Sequence, residues 1–138
     1  MNKNYFKTLD LKEDFNLTEN EIESAYFQMS EKFHPDNNSN DLIKFSDLNE
    51  AYRILKNPLL KYRHFLEINN IDIKKIHIEK EFLRKITSID DKLILEKEFQ
   101  NLNQELIENF TKNDLQKASI LLIKMLYLEK INNNVKNC

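Results

Sequence analysis

The chain has 138 residues, enough for one ordinary domain or two very small ones, and a balanced charge that sums to −2. That balance argues against a general nucleic-acid binder, which would be basic, and no apolar run approaches the length of a membrane span. A single cysteine, Cys138, excludes an internal disulfide or a CxxC metal clip, and the absence of glycine makes a turn-rich all-β fold a poor fit.

The N-terminus, Met1 to Phe6, carries neither a signal-peptide hydrophobic core nor an Arg-rich transit pattern, so the expectation is a soluble protein that works where it is made. Tyr5, Phe6, Leu9 and Leu11 form a first apolar patch of one or two helical turns. Thr18 and Glu21 then match a capping box, in which each side chain satisfies the other's free backbone N–H. The helix it opens sets Ile22, Ala25, Tyr26, Met29 and Phe33 on one face. Pro35 stops it, because the residue before a proline is driven out of the α region. His34, Pro35 and Asp36 are therefore held at an exposed helix end in a stiff turn.

A second helix near Asp41 carries Leu42, Phe45, Leu48, Tyr52 and Leu55, and the short polar link makes the two helices an antiparallel hairpin. Asn57-Pro58 reads as an N-cap followed by proline at the first helical position, with Leu59, Leu60, Phe65, Leu66 and Ile68 behind it. Residues 71–78 mix apolar and charged side chains without a period and read as a connection. Beyond it come a short helix from Glu79 to Ile86 and a cap at Ser88 to Asp91. A long stripe of Leu95, Phe99, Leu102, Leu106 and Phe110 follows, then a last helix from Asn113-Asp114 to about Ile131 that Asn132, Asn133 and Asn134 fray. This last helix is apolar on two faces. Leu115, Ala118, Leu122 and Met125 form one; Ile120, Ile123, Tyr127 and Ile131 form the other, which either packs inside the molecule or binds a partner.

Read from the residues alone, His34-Pro35-Asp36 is either a simple helix stop or a displayed polar tip. An enzyme using His34 and Asp36 as acid and base would need a concave pocket, and no sequence feature suggests one. His34, His64 and His77 have no metal-site spacing, and no cofactor is expected.

The wider pattern is more specific. Tyr5-Phe6-x-x-Leu9, the helix leading into His34-Pro35-Asp36, and Leu48-Asn49-Glu50-Ala51-Tyr52-x-x-Leu55 together resemble a J domain, the ATPase-stimulating module of DnaK-type co-chaperones. Asn57 to Leu66, Asn70-Ile71-Asp72, Phe82-Leu83 and Leu126 to Ile131 resemble one branch of that group, the HscB co-chaperones of iron–sulphur cluster assembly. The resemblance implies an all-α chain: a J domain over 1–70, a connection over 71–78 and a short C-terminal three-helix bundle over 79–138. It implies a chaperone contact through His34, Pro35, Asp36 and Lys32, with Asp36 accepting charge-assisted hydrogen bonds from a chaperone arginine. It also implies a contact through Leu83 and Tyr127 with an IscU-type scaffold.

The ATP chemistry would belong to a DnaK/HscA-type partner, with no nucleic acid and no membrane involved. The implied location is the bacterial cytoplasm, or the mitochondrial matrix after removal of a presequence. The sequence departs from that family at several points. Asn37 stands where lysine is common, Arg84 stands where an apolar residue is common, and the stretch between Leu83 and Phe99 is short. Its first long helix carries Glu19, Glu21, Glu23 and Glu31 against Lys32, where J domains present a basic face. A general J protein serving other clients, or a degenerate one acting only as an interaction module, is the alternative.

Overall fold

The computed structural model describes residues 3–33 and 39–136. Among these the chain is helical: α1 (Tyr5–Thr8), α2 (Glu19–Lys32), α3 (Ser39–Leu55), α4 (Pro58–Ile68), α5 (Lys80–Thr87), α6 (Lys92–Thr111) and α7 (Leu115–Lys136), with a 3₁₀ turn at Ile73–Lys75. The chain divides into two compact units, Met1–Asn69 and Asn70–Cys138.

Local chemistry sets the helix ends. The Thr18 hydroxyl accepts from the Glu21 N–H at 3.2 Å, and the Glu21 carboxylate accepts in return from the Thr18 N–H, so the capping box opens α2. Asn57 accepts from the N–H groups of Leu59 and Leu60, and Pro58 occupies the first position of α4, where a missing N–H costs nothing. Asp91 opens α6 by accepting from the Leu93 N–H at 2.9 Å.

A chain without glycine must close its helices with other residues. Asp10, Asn70 and Asn113 take the left-handed conformation, at φ of 57°, 67° and 61°. After α6 the closure is a Schellman motif: the Asp114 N–H donates to the Asn109 carbonyl at 2.8 Å and the Asn113 N–H to that of Phe110 at 3.0 Å. The same pair of bonds ends α1, from Leu11 to Phe6 and from Asp10 to Lys7. Asparagine and aspartate tolerate this geometry because their short polar side chains bond locally.

In the first unit α3 packs on α1, α2 and α4. Phe6, Leu9, Leu17, Ile22, Leu48, Ala51 and Leu55 form its core, and Ala25, Tyr26, Met29, Phe33 and Tyr52 pack around them. Phe33 lies near Lys44, while Tyr26 lies against Asn49 and Tyr52, so α2 and α3 run antiparallel. In the second unit α6 and α7 are the main pair, and α7 also touches α5 and the 3₁₀ turn. Leu106, Leu122 and Met125 are fully buried there. Each such side chain contributes about 2 kcal/mol by leaving water.

Several details differ from the sequence-based expectation. The last helix continues through Asn132, Asn133 and Asn134 to Lys136, because asparagine weakens a helix without breaking its backbone ladder. Helix α4 buries Lys61, Tyr62 and His64 together with Leu59 and Leu66, so it is enclosed on more than one stripe. The segment 71–78 carries the 3₁₀ turn, capped by Asp72 and with Ile73 buried.

Candidate functional site

Helix α2 ends where Phe33, as its C-cap, leaves helical geometry and returns its N–H to the Met29 carbonyl. Two cations flank the Phe33 ring. Lys32 Nζ stands 5.5 Å from its centroid and Lys44 Nζ, from α3, stands 4.7 Å away. Lys32 is exposed in the last turn of α2, where a positive charge also complements the helix C-terminus. His34, Pro35 and Asp36 lie outside the described residues. The end of α2 that precedes them in the chain thus has a lysine from each helix against the Phe33 ring.

The register of that hairpin is fixed from within. The rings of Tyr26 and Tyr52 stack at 4.4 Å with 13° between their planes, and the Tyr26 hydroxyl donates to the Asn49 side chain. Lys3 pairs with Asp47 at 3.2 Å, and the Tyr5 hydroxyl donates to Glu50 at 3.1 Å, so α1 braces the outside of α3. The Glu50 carboxylate and partial burial both raise the Tyr5 hydroxyl's pKa, burial foremost, which keeps it a donor.

Helix α4 holds the base of the unit through two buried polar groups. Lys61 Nζ donates to the Leu17 carbonyl at 2.8 Å, and burial lowers its pKa against the opposing pull of Asp14 and Glu21. His64 Nε2 accepts from the backbone N–H of Tyr5 at 2.9 Å, with the rings of Tyr5 and Phe6 at 4.7 and 5.5 Å. Burial lowers the His64 pKa, while Glu67 and Glu13 oppose that shift.

In the second unit, Leu83 and Tyr127 sit on helices that touch, α5 and α7. Leu83 is half-buried and Tyr127 is 40 % exposed. Lys124, one turn before Tyr127, places Nζ 5.1 Å from the ring of Phe82, the neighbour of Leu83. The second apolar face of α7 is split: Ile123 is buried, whereas Ile120 and Tyr127 are exposed. Arg84, next to Leu83 in α5, is exposed.

Lys44 and Phe27 are the residues that sequence reasoning missed here. An antiparallel register would have placed position 44 opposite Phe33. Phe27 was legible only as the one aromatic of α2 off its core stripe, and it is 56 % exposed. No helix among the described residues is long and apolar enough to cross a membrane, and those residues include no group of three or more potential metal ligands.

Two family models match the chain in succession: the DnaJ domain over residues 4–64 and the HSCB C-terminal oligomerisation domain over residues 92–136. The co-chaperone protein HscB of Buchnera aphidicola (strain Tuc7) is 30% identical over 139 residues, covering 92% of this chain and 75% of that one. The chain belongs to the HscB family of co-chaperones. The human iron–sulfur cluster co-chaperone protein HscB is 25% identical over 159 residues, covering 97% of this chain and 68% of its own. The fold agrees as well. The crystal structure of human co-chaperone protein HscB superposes with a TM-score of 0.82 at 21% identity, over 97% of this chain and 81% of that one. Chaperone HscB from Vibrio cholerae does so with a TM-score of 0.79 at 19% identity, over 98% and 96%. Membership makes this a J-protein co-chaperone, with its J domain first and its HscB-specific module second. Tyr127 falls inside the second matched stretch, while Leu83 falls between the two.

Proposed function

We propose that the chain works in iron–sulphur cluster assembly by triggering ATP hydrolysis in a DnaK/HscA-type chaperone while presenting an IscU-type scaffold to it. The union in one chain of a DnaJ-domain match with the HscB C-terminal match carries this reading. The turn His34-Pro35-Asp36 engages the chaperone, with Asp36 accepting hydrogen bonds from a chaperone arginine and Lys32 standing beside it. Hydrolysis takes place on the partner, and this chain contributes contact rather than a catalytic group.

The second unit holds the scaffold through Leu83 and Tyr127. The exposure of Tyr127, with Ile120 on the same helix and Phe82 beside Lys124, supports an apolar contact there, since an exposed tyrosine supplies contact area at low entropic cost. Delivery coupled to hydrolysis closes the chaperone on its client. The setting is a bacterial cytoplasm, or a mitochondrial matrix in a processed form.

Two variants test the two ends separately. His34→Gln abolishes ATPase stimulation with unchanged helicity; unchanged stimulation would remove the turn from the mechanism. Leu83→Ala with Tyr127→Ala weakens scaffold binding and spares stimulation. Loss of the second unit's folding instead would make those side chains core.

A further inference from the structure

The outward stripe of α2 is Asn20, Ser24, Phe27 and Glu31, with Gln28 beside it, and all five are exposed. No cation stands on it. The helix as a whole carries four glutamates against Lys32, a net −3, and Lys32 belongs to the final turn. A helix charged this way is repelled by an acidic surface and gains nothing from the ionic pairing that a basic helix would make. What the stripe offers at its centre is Phe27, 56 % exposed and therefore not retained for core packing. Its ring leans on Tyr26 at 5.8 Å, and Tyr26 is itself fixed by stacking on Tyr52 and by its bond to Asn49. The aromatic is therefore held out on a rigid base, which lowers the entropy it loses on docking. The helix that displays it leads directly to the Lys32, Phe33 and Lys44 cluster at its C-terminal end.

We propose that Phe27 is the anchor by which α2 docks on the ATPase chaperone, and that the receiving surface is an apolar pocket with a neutral or basic rim. The proposal rests on the chaperone-stimulating reading above and specifies the chemistry of that contact. Its consequence is specificity: a chaperone whose groove is acidic is a poor partner for this chain, and one with an apolar pocket is a good one.

The test measures binding to the cognate DnaK/HscA-type chaperone by calorimetry, and single-turnover hydrolysis alongside it, for the wild-type chain, Phe27→Ala, Phe27→Lys and His34→Gln. Phe27→Ala weakens binding about tenfold or more, the loss typical of a truncated aromatic anchor. Its circular dichroism and melting temperature stay those of the wild type. Phe27→Lys fails to restore binding, and the affinity lost in Phe27→Ala is the same at low and at high salt, because burial of an apolar ring is not screened. Wild-type affinity in Phe27→Ala, or a loss in Phe27→Ala that disappears at high salt, overturns the anchor. If that occurs while His34→Gln still abolishes stimulation, the co-chaperone reading stands and the anchor alone falls. Absence of any binding by the wild-type chain overturns both.

Discussion

The backbone N–H of Tyr5 donates to Nε2 of His64 across 2.9 Å, and this bond ties α1 to α4, 59 residues apart in sequence. The acceptor must be the unprotonated nitrogen, so the imidazole is neutral and its proton sits on Nδ1, facing Glu67 Oε2 at 3.7 Å. A cleft of about 230 Å³ lined by Tyr5, Ile54, Leu60, Arg63, His64 and Glu67 opens onto the pair and gives protons access.

That geometry makes the first unit acid-sensitive. Burial depresses the folded pKa of His64 below its ordinary 6.5, so the unfolded chain binds more protons in the interval between the two values. The stabilisation is complete above the ordinary value and is lost as pH falls through the folded one. Urea unfolding is expected to show stability falling below about pH 6.5, and His64→Gln, whose amide oxygen still accepts a hydrogen bond, is expected to flatten that part of the profile. An unchanged profile in the variant would assign the acid sensitivity to other groups.

Lys61 is 7 % exposed and supplies the donor for the Leu17 carbonyl. Lys61→Met keeps the aliphatic volume but leaves that carbonyl unsatisfied, at a cost of about 1–3 kcal/mol. The shift in the urea midpoint measures it. A neutral substitution would mean that water replaces the amine.

Core and surface of α7's neighbourhood separate by mutation. Leu106 is fully buried, and Leu106→Ala leaves a cavity costing about 2–5 kcal/mol. Tyr127 is 40 % exposed and fills no core position, so Tyr127→Ala costs clearly less than Leu106→Ala. Thermal melts of the two variants side by side decide whether Tyr127 is free to serve a partner.

Asn113 closes α6 at φ of 61°. A β-branched residue there is penalised by its Cβ, so Asn113→Ile is expected to cost about 1–2 kcal/mol, while Asn113→Gly is neutral or stabilising. Equal stability of the two variants would show that the turn relaxes out of the left-handed conformation.

Much of this architecture was legible in the chain. Thr18 with Glu21, Asn57 with Pro58, and the spacing of Leu95, Leu102, Leu106 and Phe110 each declare an element through local chemistry. What escaped was tertiary. His64 and Lys61 are polar, and periodicity places polar residues outward, yet here one accepts from Tyr5 and the other donates to Leu17. The partners lie 59 and 44 residues away, beyond any local pattern. The pair of lysines against Phe33 was hidden for the same reason, since Lys44 reaches it only once α2 and α3 pair. Tyr127 carried no local signal separating it from its buried neighbours Ile123 and Leu128. Its exposure depends on which helices cover α7.

Single-turnover ATP hydrolysis by the cognate DnaK/HscA-type chaperone, with this chain alone and then with the IscU-type scaffold added, tests the account most directly. The expected result is stimulation by the chain that rises further with scaffold. Stimulation indifferent to scaffold would assign the chain to a general J-protein role, and no stimulation in either case would contradict the co-chaperone mechanism itself.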